Sequence, residues 1–269
     1  VKPQQPTPRR TRHHTRNTKS TRDMAAAATL ALAVLAGRYD GEFHLDKFQK
    51  GARLLDPAME HSLKLASQKE GCVIDVGANG GQQSHAALAR GRETYAFECL
   101  ASAYEFISKA AAAGVFPNVH KYTLIHGCAG SSVRFGKLHL AWDSSSMLSE
   151  NVAQGYESRK ANWSTTMYGR SFADIVVQPL DPLFPPEKKV ALVKVDTQGN
   201  EYDVLQGMRQ ILSRDLPVVQ YECMGCVRKK EYGWFKSSGE VRDLLQPLGY
   251  KCQPAPGREK LNQICHVSR

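Results

Sequence analysis

The stretch Cys72-Val73-Ile74-Asp75-Val76-Gly77-Ala78-Asn79-Gly80-Gly81 leaves few folds open to this chain. A short apolar run rich in β-branched residues ends in a glycine-rich turn, and Ser84 to Ala89 then reads as the start of a helix. Strand, tight turn and helix in that order open a parallel βαβ unit. Roughly twenty residues beyond the turn, Glu93-Thr94-Tyr95-Ala96-Phe97-Glu98 predicts a second strand that closes on a carboxylate. In such units that carboxylate accepts hydrogen bonds from the two ribose hydroxyls of an adenosine ligand.

The turn decides which adenosine ligand fits. Dinucleotide binders carry G-x-G-x-x-G, which lets the backbone approach a pyrophosphate at the helix N-terminus. Here the spacing is Asp75-x-Gly77-x-Asn79-x-Gly81, with Asn79 where the second of those glycines would fall. An acidic residue two positions before the first glycine suits a cation better than a diphosphate. S-adenosyl-L-methionine carries a sulfonium and an amino group, and the turn resembles the D-x-G-x-(G/N)-x-G form of its Rossmann-type methyltransferases. Asp75, Gly77 and Asn79 are then expected around the methionine part, with Gly81 completing the turn and Glu98 on the ribose. The plain alternative is a glycine turn in an ordinary α/β protein.

The net charge of +10 over 269 residues suggests nucleic acid until it is located. Residues 1–23 hold Lys2, Arg9, Arg10, Arg12, Arg16, Lys19 and Arg22 against Asp23, a balance of +6, so the rest of the chain carries +4 and implies no nucleic-acid groove. That basic, Pro- and Thr-rich segment is expected to be disordered. The Ala/Leu run Met24–Gly37 that follows has the outline of a secretory signal, too short to span a bilayer as a helix. An organelle transit peptide and a helix packed on the domain are the competing readings. Residues 1–37 are therefore read as a leader and 38–269 as one folded domain with no membrane span.

Leu54, Leu55, Met59, Leu63 and Leu65 fall near helical spacing, with Pro57 at a first helical position, and predict a helix that covers one edge of the sheet. Ala101 to Gly114 predicts a helix with Tyr104, Phe106, Ile107 and Ala110 on its apolar side, and Asn118 to Ile125 a third strand. Beyond it, His126 and Cys128 are expected near the adenine, where packing or a backbone contact is the simpler role. Val133–Ala141 and Phe172–Pro179 read as strands. Between them the polar, aromatic insertion 142–171 loses periodicity; Trp142, Tyr156, Trp163 and Tyr168 are expected to contact an acceptor there, and Asn162-Trp163-Ser164 fits a glycosylation sequon.

The second informative stretch is Val190-Ala191-Leu192-Val193-Lys194-Val195-Asp196-Thr197-Gln198-Gly199-Asn200-Glu201. An apolar strand ends with Lys194 and Asp196 on one face, since alternate residues share a face. Charge at the ligand-side end of a central strand is costly unless paired or used. Leu216–Tyr221 is the next strand and Glu222 ends it at the same edge; a helix at Ser237–Leu245 and strands at Gly249–Cys252 and Leu261–Val267 follow.

These motifs, together with Leu180-Asp181-Pro182-Leu183 and Val204-Leu205-Gln206-Gly207, resemble the FkbM family of S-adenosyl-L-methionine-dependent methyltransferases from about Cys72 to Glu222. Lys194-x-Asp196-x-Gln198-Gly199-x-Glu201 is the specific block; the glycine turn is shared by many methyltransferases. The resemblance implies an α/β, Rossmann-like, seven-stranded class I methyltransferase fold, with a mostly parallel sheet covered on both faces. It also implies O-methylation of a hydroxyl on a sugar, polyketide or similar small molecule or glycan. Gly80 stands where the family often has a bulky apolar residue, and 142–171 keeps only a loose Ser-Ser-x-Leu theme.

Asp196 is the expected base or acceptor-orienting group, with Lys194 as partner and Glu201 and Glu222 behind it; the structural alternative is an ion pair of Lys194 with Asp196 or Glu222. The seven cysteines show no disulfide framework, so free buried thiols are expected. A zinc site from Cys223, Cys226, Cys252 and Cys265 or His266, and disulfide pairing, are the alternatives. Two rival functions remain: an NAD-type oxidoreductase, opposed by Asn79, and a binding module without turnover.

Overall fold

The computed structural model describes residues 56–139, 172–223, 238–258 and 261–268. The leader 1–37, the insertion 142–171 and Cys226 lie outside the described residues.

β1 (Cys72–Val76) is buried at every position, and so is β7 (Val190–Val195). Such continuous burial is what their unbroken β-branched runs predict for central parallel strands. With β2 (Thr94–Glu98), β3 (Tyr122–His126), β8 (Val218–Glu222), β9 (Lys251–Pro254) and β10 (Asn262–His266) they form one sheet in the order β3-β2-β1-β7-β8-β10-β9. β3, β2, β1, β7 and β8 run parallel, and β10 is antiparallel to both of its neighbours. The chain steps outward from β1 to β3 and then returns to the other side of β1, so the strand order reverses between β1 and β7. A ligand crevice is expected at that switch point, beyond the carboxyl ends of the strands.

Both faces are covered, as a parallel sheet requires. On one lies α1 (Pro57–Leu65), whose Asp56 cap accepts from the Ala58 N–H at 2.9 Å. Its Ala58, Met59 and Leu63 pack with Val73, Leu192, Val218 and Ile264. It therefore covers the face of the central strands and not an edge, because its apolar stripe meets the odd side of β1. α2 (Gln82–Ala89) and α3 (Ala101–Ala112) follow their strands; Phe106, Ile107 and Ala110 of α3 pack with Leu88, Ala96 and Phe116. The opposite face buries Ile74, Val76, Val193 and Val195 under Val204 and Leu205 of α4 (Glu201–Gln206) and Ile211 and Leu212 of α5 (Arg209–Asp215). Val241 and Leu245 of α6 (Ser238–Leu245) complete that layer.

The third strand starts later than the periodicity predicts. Asn118 takes a left-handed conformation (φ 50°) and its amide donates to the Leu88 carbonyl at 2.7 Å, so Val119–Lys121 forms a helical turn before β3. The two strands expected at Val133–Ala141 and Phe172–Pro179 do not join the main sheet. They are β5 (Arg134–His139) and β6 (Phe172–Gln178), antiparallel to each other and joined by the short β4 (Cys128–Ala129) in a second sheet ordered β4-β6-β5. Their alternation is real: Leu138 and Val177 point inward, while Phe135 and Val176 face each other outward. Among the described residues no helix is long and apolar enough to cross a membrane.

β4 approaches α4 so closely that a Cβ at Gly207 would lie 1.9 Å from the Gly130 carbonyl oxygen. Gly114, by contrast, has φ +74° and nothing within 4 Å of such a Cβ. Gly207→Ala is expected to cost about 1–3 kcal/mol by overpacking, and Gly114→Ala about 1 kcal/mol of backbone strain alone. Urea denaturation of the two variants checks the order.

Candidate functional site

The carboxyl ends of β1, β2 and β7 and the start of β4 enclose a cavity. Gly77 and Asn79 line it from the turn, Glu98 from β2, Gly127 and Cys128 from the β3–β4 connection, and Asp196, Thr197 and Gln198 from the end of β7. Gly77 has φ +75°, and a Cβ there would fall 1.9 Å from the Asp196 carbonyl oxygen, so the turn and the end of β7 touch through backbone. The Asp196 N–H closes the same contact by donating to the Val76 carbonyl at 3.0 Å. Asn79, with φ 50°, bends the turn over the Glu98 side chain.

Glu98 is buried, and both of its carboxylate oxygens accept from backbone: Oε2 from the Asn79 N–H at 2.7 Å, Oε1 from the Leu100 N–H at 2.8 Å. Burial pushes its pKa up, and these two hydrogen bonds and the charge of Lys194 pull against that. Each oxygen keeps lone-pair capacity toward the cavity, which is what two ribose hydroxyls require.

Asp75 does not line the cavity. It is fully buried beneath the turn, accepting from Ser84 Oγ at 2.7 Å and standing 3.1 Å from Lys194 Nζ. Lys194 pairs with this carboxylate and not with Asp196 or Glu222, because β1 and β7 are adjacent and place Asp75 directly opposite Lys194 in register. Its ammonium also donates to the Gly77 carbonyl at 2.7 Å, which ties the glycine turn to β7. Burial presses the Lys194 pKa down, but the carboxylates of Asp75 and then Asp196 outweigh it and hold the amine above its ordinary value, charged. Gly81 also stands back from the cavity: it caps α2 at φ +81°, and a Cβ would run 2.6 Å into the Phe116 ring. Asp75 and Gly81 thus shape the turn from below, where the sequence placed them around the ligand.

Beside Asp196 the structure brings together groups from three places in the chain. Gln198 Nε2 donates to Asp196 Oδ1 at 3.0 Å and to Glu222 Oε2 at 2.6 Å, bridging the ends of β7 and β8. Burial, with the charge and hydrogen bond of Asp196 adding to it, raises the Glu222 pKa from 4.5 to about 9. Glu201 is buried and accepts from the N–H groups of Thr197 (3.0 Å) and Gly199 (2.9 Å), so it holds the 197–199 turn. Its pKa rises to about 7, chiefly by desolvation. Gln198 is not among the site residues that the sequence predicts. Its role depends on a left-handed backbone (φ 56°), and the following Gly199 was the one sequence sign of a turn there.

His126 is exposed, stacks on Tyr104 with ring centroids 4.9 Å apart and is not among the residues lining the cavity; Cys128 lines it. The expectation of free thiols holds for Cys72, buried and unpaired. Cys99 is disulfide-bonded to Cys128 and Cys252 to Cys265, and Cys223 is also disulfide-bonded. Cys252 and Cys265 are direct partners on β9 and β10, a proximity set by register that spacing does not show. Paired sulfurs are not thiolate ligands, which removes the zinc alternative for these two, and no group of three metal-ligating side chains occurs among the described residues.

The charged side chains that line the cavity among the described residues, Glu98 and Asp196, are both acids. A dinucleotide pyrophosphate would meet no cation there, whereas a sulfonium with an amino group fits. Strand order, switch-point cavity and acidic lining are those of the class I methyltransferases. The chain matches the methyltransferase FkbM domain over residues 75–252. It belongs to the FkbM methyltransferase family, whose cofactor is S-adenosyl-L-methionine.

Among solved structures, an FkbM methyltransferase from Methylobacillus flagellatus KT is 15% identical with a TM-score of 0.46, over 88% of this chain and 58% of that one. The chain thus spans little more than half the length of that relative. The CcbJ methyltransferase from Streptomyces caelestis is 10% identical with a TM-score of 0.45, over 90% and 98%. The glycopeptide N-methyltransferase MtfA, solved with S-adenosyl-L-methionine, is 12% identical with a TM-score of 0.41, over 79% and 94%. No curated protein sequence matches the chain.

The raised pKa of Glu222 has a sign for stability. A carboxyl that holds its proton more tightly when folded stabilises fully below its unfolded value, near 4.5, and loses that contribution as pH rises through about 9. Melting temperature is therefore expected to fall between those limits. Glu222→Gln should flatten that fall. Parallel wild-type and variant slopes across pH 5–9 would contradict the raised Glu222 pKa.

Proposed function

We propose that the chain is an O-methyltransferase that acts on a hydroxyl of a small molecule or glycan. The observation that carries this reading is Asp196, a carboxylate lining the cavity where β7 ends, held by Gln198 against Glu222. When bound, S-adenosyl-L-methionine supplies an activated methyl group. A hydroxyl attacks it well only as its proton leaves, so O-methylation asks the protein for a base, whereas a neutral amine already presents a lone pair.

Asp196 is placed to take that proton. Glu222, whose pKa is raised by desolvation and by the Asp196 charge, stands behind it, and Gln198 keeps the two carboxyls in a fixed relation. Lys194 works one layer below as a positioning residue: through Asp75 and the Gly77 carbonyl it keeps the glycine turn in place. Glu98 orients the adenosine end, and the apolar Phe97, Leu100 and Leu138 help exclude water from the cavity wall.

Calorimetric titration of the full chain with S-adenosylhomocysteine should show micromolar binding that is lost in Glu98→Ala, with no binding of NADH. Against a panel of sugar and polyketide alcohols, turnover should fall by about 10²–10⁴ in Asp196→Asn, with S-adenosylhomocysteine affinity kept. Methylation of amines alone, or an Asp196→Asn variant with unchanged turnover, would overturn the hydroxyl reading. Cofactor binding without transfer to any acceptor would make the chain a binding module.

A further inference from the structure

Cys99 and Cys128 both line the cavity, and their disulfide is part of its wall. Cys99 lies between Glu98 and Leu100, the residue whose N–H fixes one Glu98 oxygen. Cys128 follows Gly127, whose N–H donates to the Glu98 backbone carbonyl at 3.0 Å. The disulfide thus repeats, between side chains, a junction the backbone already makes between the end of β2 and the β3–β4 connection. Those two segments and the Asn79 turn set the position of the Glu98 carboxylate. The two sulfurs differ in access: Cys128 is 4% exposed, while Cys99 is half-buried and opens on the cavity.

We propose that the Cys99–Cys128 pair is a redox modification site, oxidised in the form that binds cofactor tightly and reduced by a dithiol in a form that binds it weakly. This rests on the cofactor reading of the cavity. A dithiol reductant enters from the cavity side. Its thiolate attacks Cys99 Sγ, the Cys99–Cys128 bond breaks, and Cys128 leaves as a thiolate that takes up a proton. The second thiol of the reductant then displaces Cys99 from the mixed disulfide. Two electrons pass from the dithiol to the protein: the protein gains two thiols and the reductant becomes a disulfide. Without the bond, the stretch 98–100 keeps its backbone contacts to the β3–β4 connection but loses the covalent tie, and binding must order what was already ordered.

The coupling is reciprocal. A ligand that prefers the oxidised protein also protects the disulfide, both by linkage and by occupying the approach to Cys99.

The test uses the full chain, oxidised or treated with dithiothreitol, with thiol states read by alkylation and mass spectrometry. The dissociation constant of S-adenosylhomocysteine is expected to rise roughly tenfold on reduction. The same tenfold means that saturating S-adenosylhomocysteine lowers the reduction potential of the pair by about 30 mV. Cys252→Ser/Cys265→Ser, which removes a disulfide on the far strands, should keep the response. Cys99→Ser/Cys128→Ser should bind with the affinity of the reduced protein under both conditions.

Equal affinity in the two states, a potential unmoved by ligand, or a redox response that survives in Cys99→Ser/Cys128→Ser would each overturn the proposal. Absence of binding in every state would overturn the cofactor reading and the proposal with it. The potential shift is measured on wild-type protein, so misfolding of the serine variant would not rescue the idea.

Discussion

The site depends on one buried contact, the ion pair of Asp75 and Lys194 across β1 and β7. Two charges in the centre of a parallel sheet are costly to desolvate, and removing either alone would strand the other. What offsets the cost is geometry. The strands are adjacent at the point where strand order reverses, the residues are opposite in register, and the lysine reaches on to the Gly77 carbonyl while Ser84 serves the aspartate. The pair therefore does more than balance charge. It binds the first βα turn to the end of β7, and those two segments are the floor of the cavity.

Above that floor, each group that faces the cavity is held by backbone donors or by a neighbouring acid. Glu98 is fixed by two N–H groups, the 197–199 turn by Glu201, and Asp196 by the Gln198 amide that also grips Glu222. The result is a division by depth. Lys194 lies buried against Asp75, and the charged side chains lining the cavity among the described residues are acids. That favours a cation over a diphosphate and leaves the Asp196 carboxylate facing the cavity.

Much of the fold was legible because it is written in local patterns. Unbroken apolar runs marked β1 and β7, alternation marked β5, Asp56-Pro57 marked the start of α1, and the carboxylate closing β2 lies at the distance expected of it. Glu98, Asn79, Gly77, Cys128 and Asp196 reach the cavity for the same reason: they follow strands whose ends the order of elements brings together. Asp75 was misplaced because its partner is 119 positions away in the chain, and which face of the sheet a buried charge serves is settled by its neighbour on the next strand. Asn118 and Gln198 escaped because left-handed backbone at a residue other than glycine leaves little trace in composition.

By itself, then, the amino-acid order determined the class of fold, the family and the strand ends that converge on the site, since these follow from periodicity and short motifs. Only the tertiary structure decided which acid Lys194 meets, that the strands flanking the insertion form a separate sheet, that Gln198 joins Asp196 to Glu222, and that Cys99 and Cys128 close the cavity wall. All four are contacts between residues brought together by register and crossover, and local spacing carries no information about which distant strand will lie alongside.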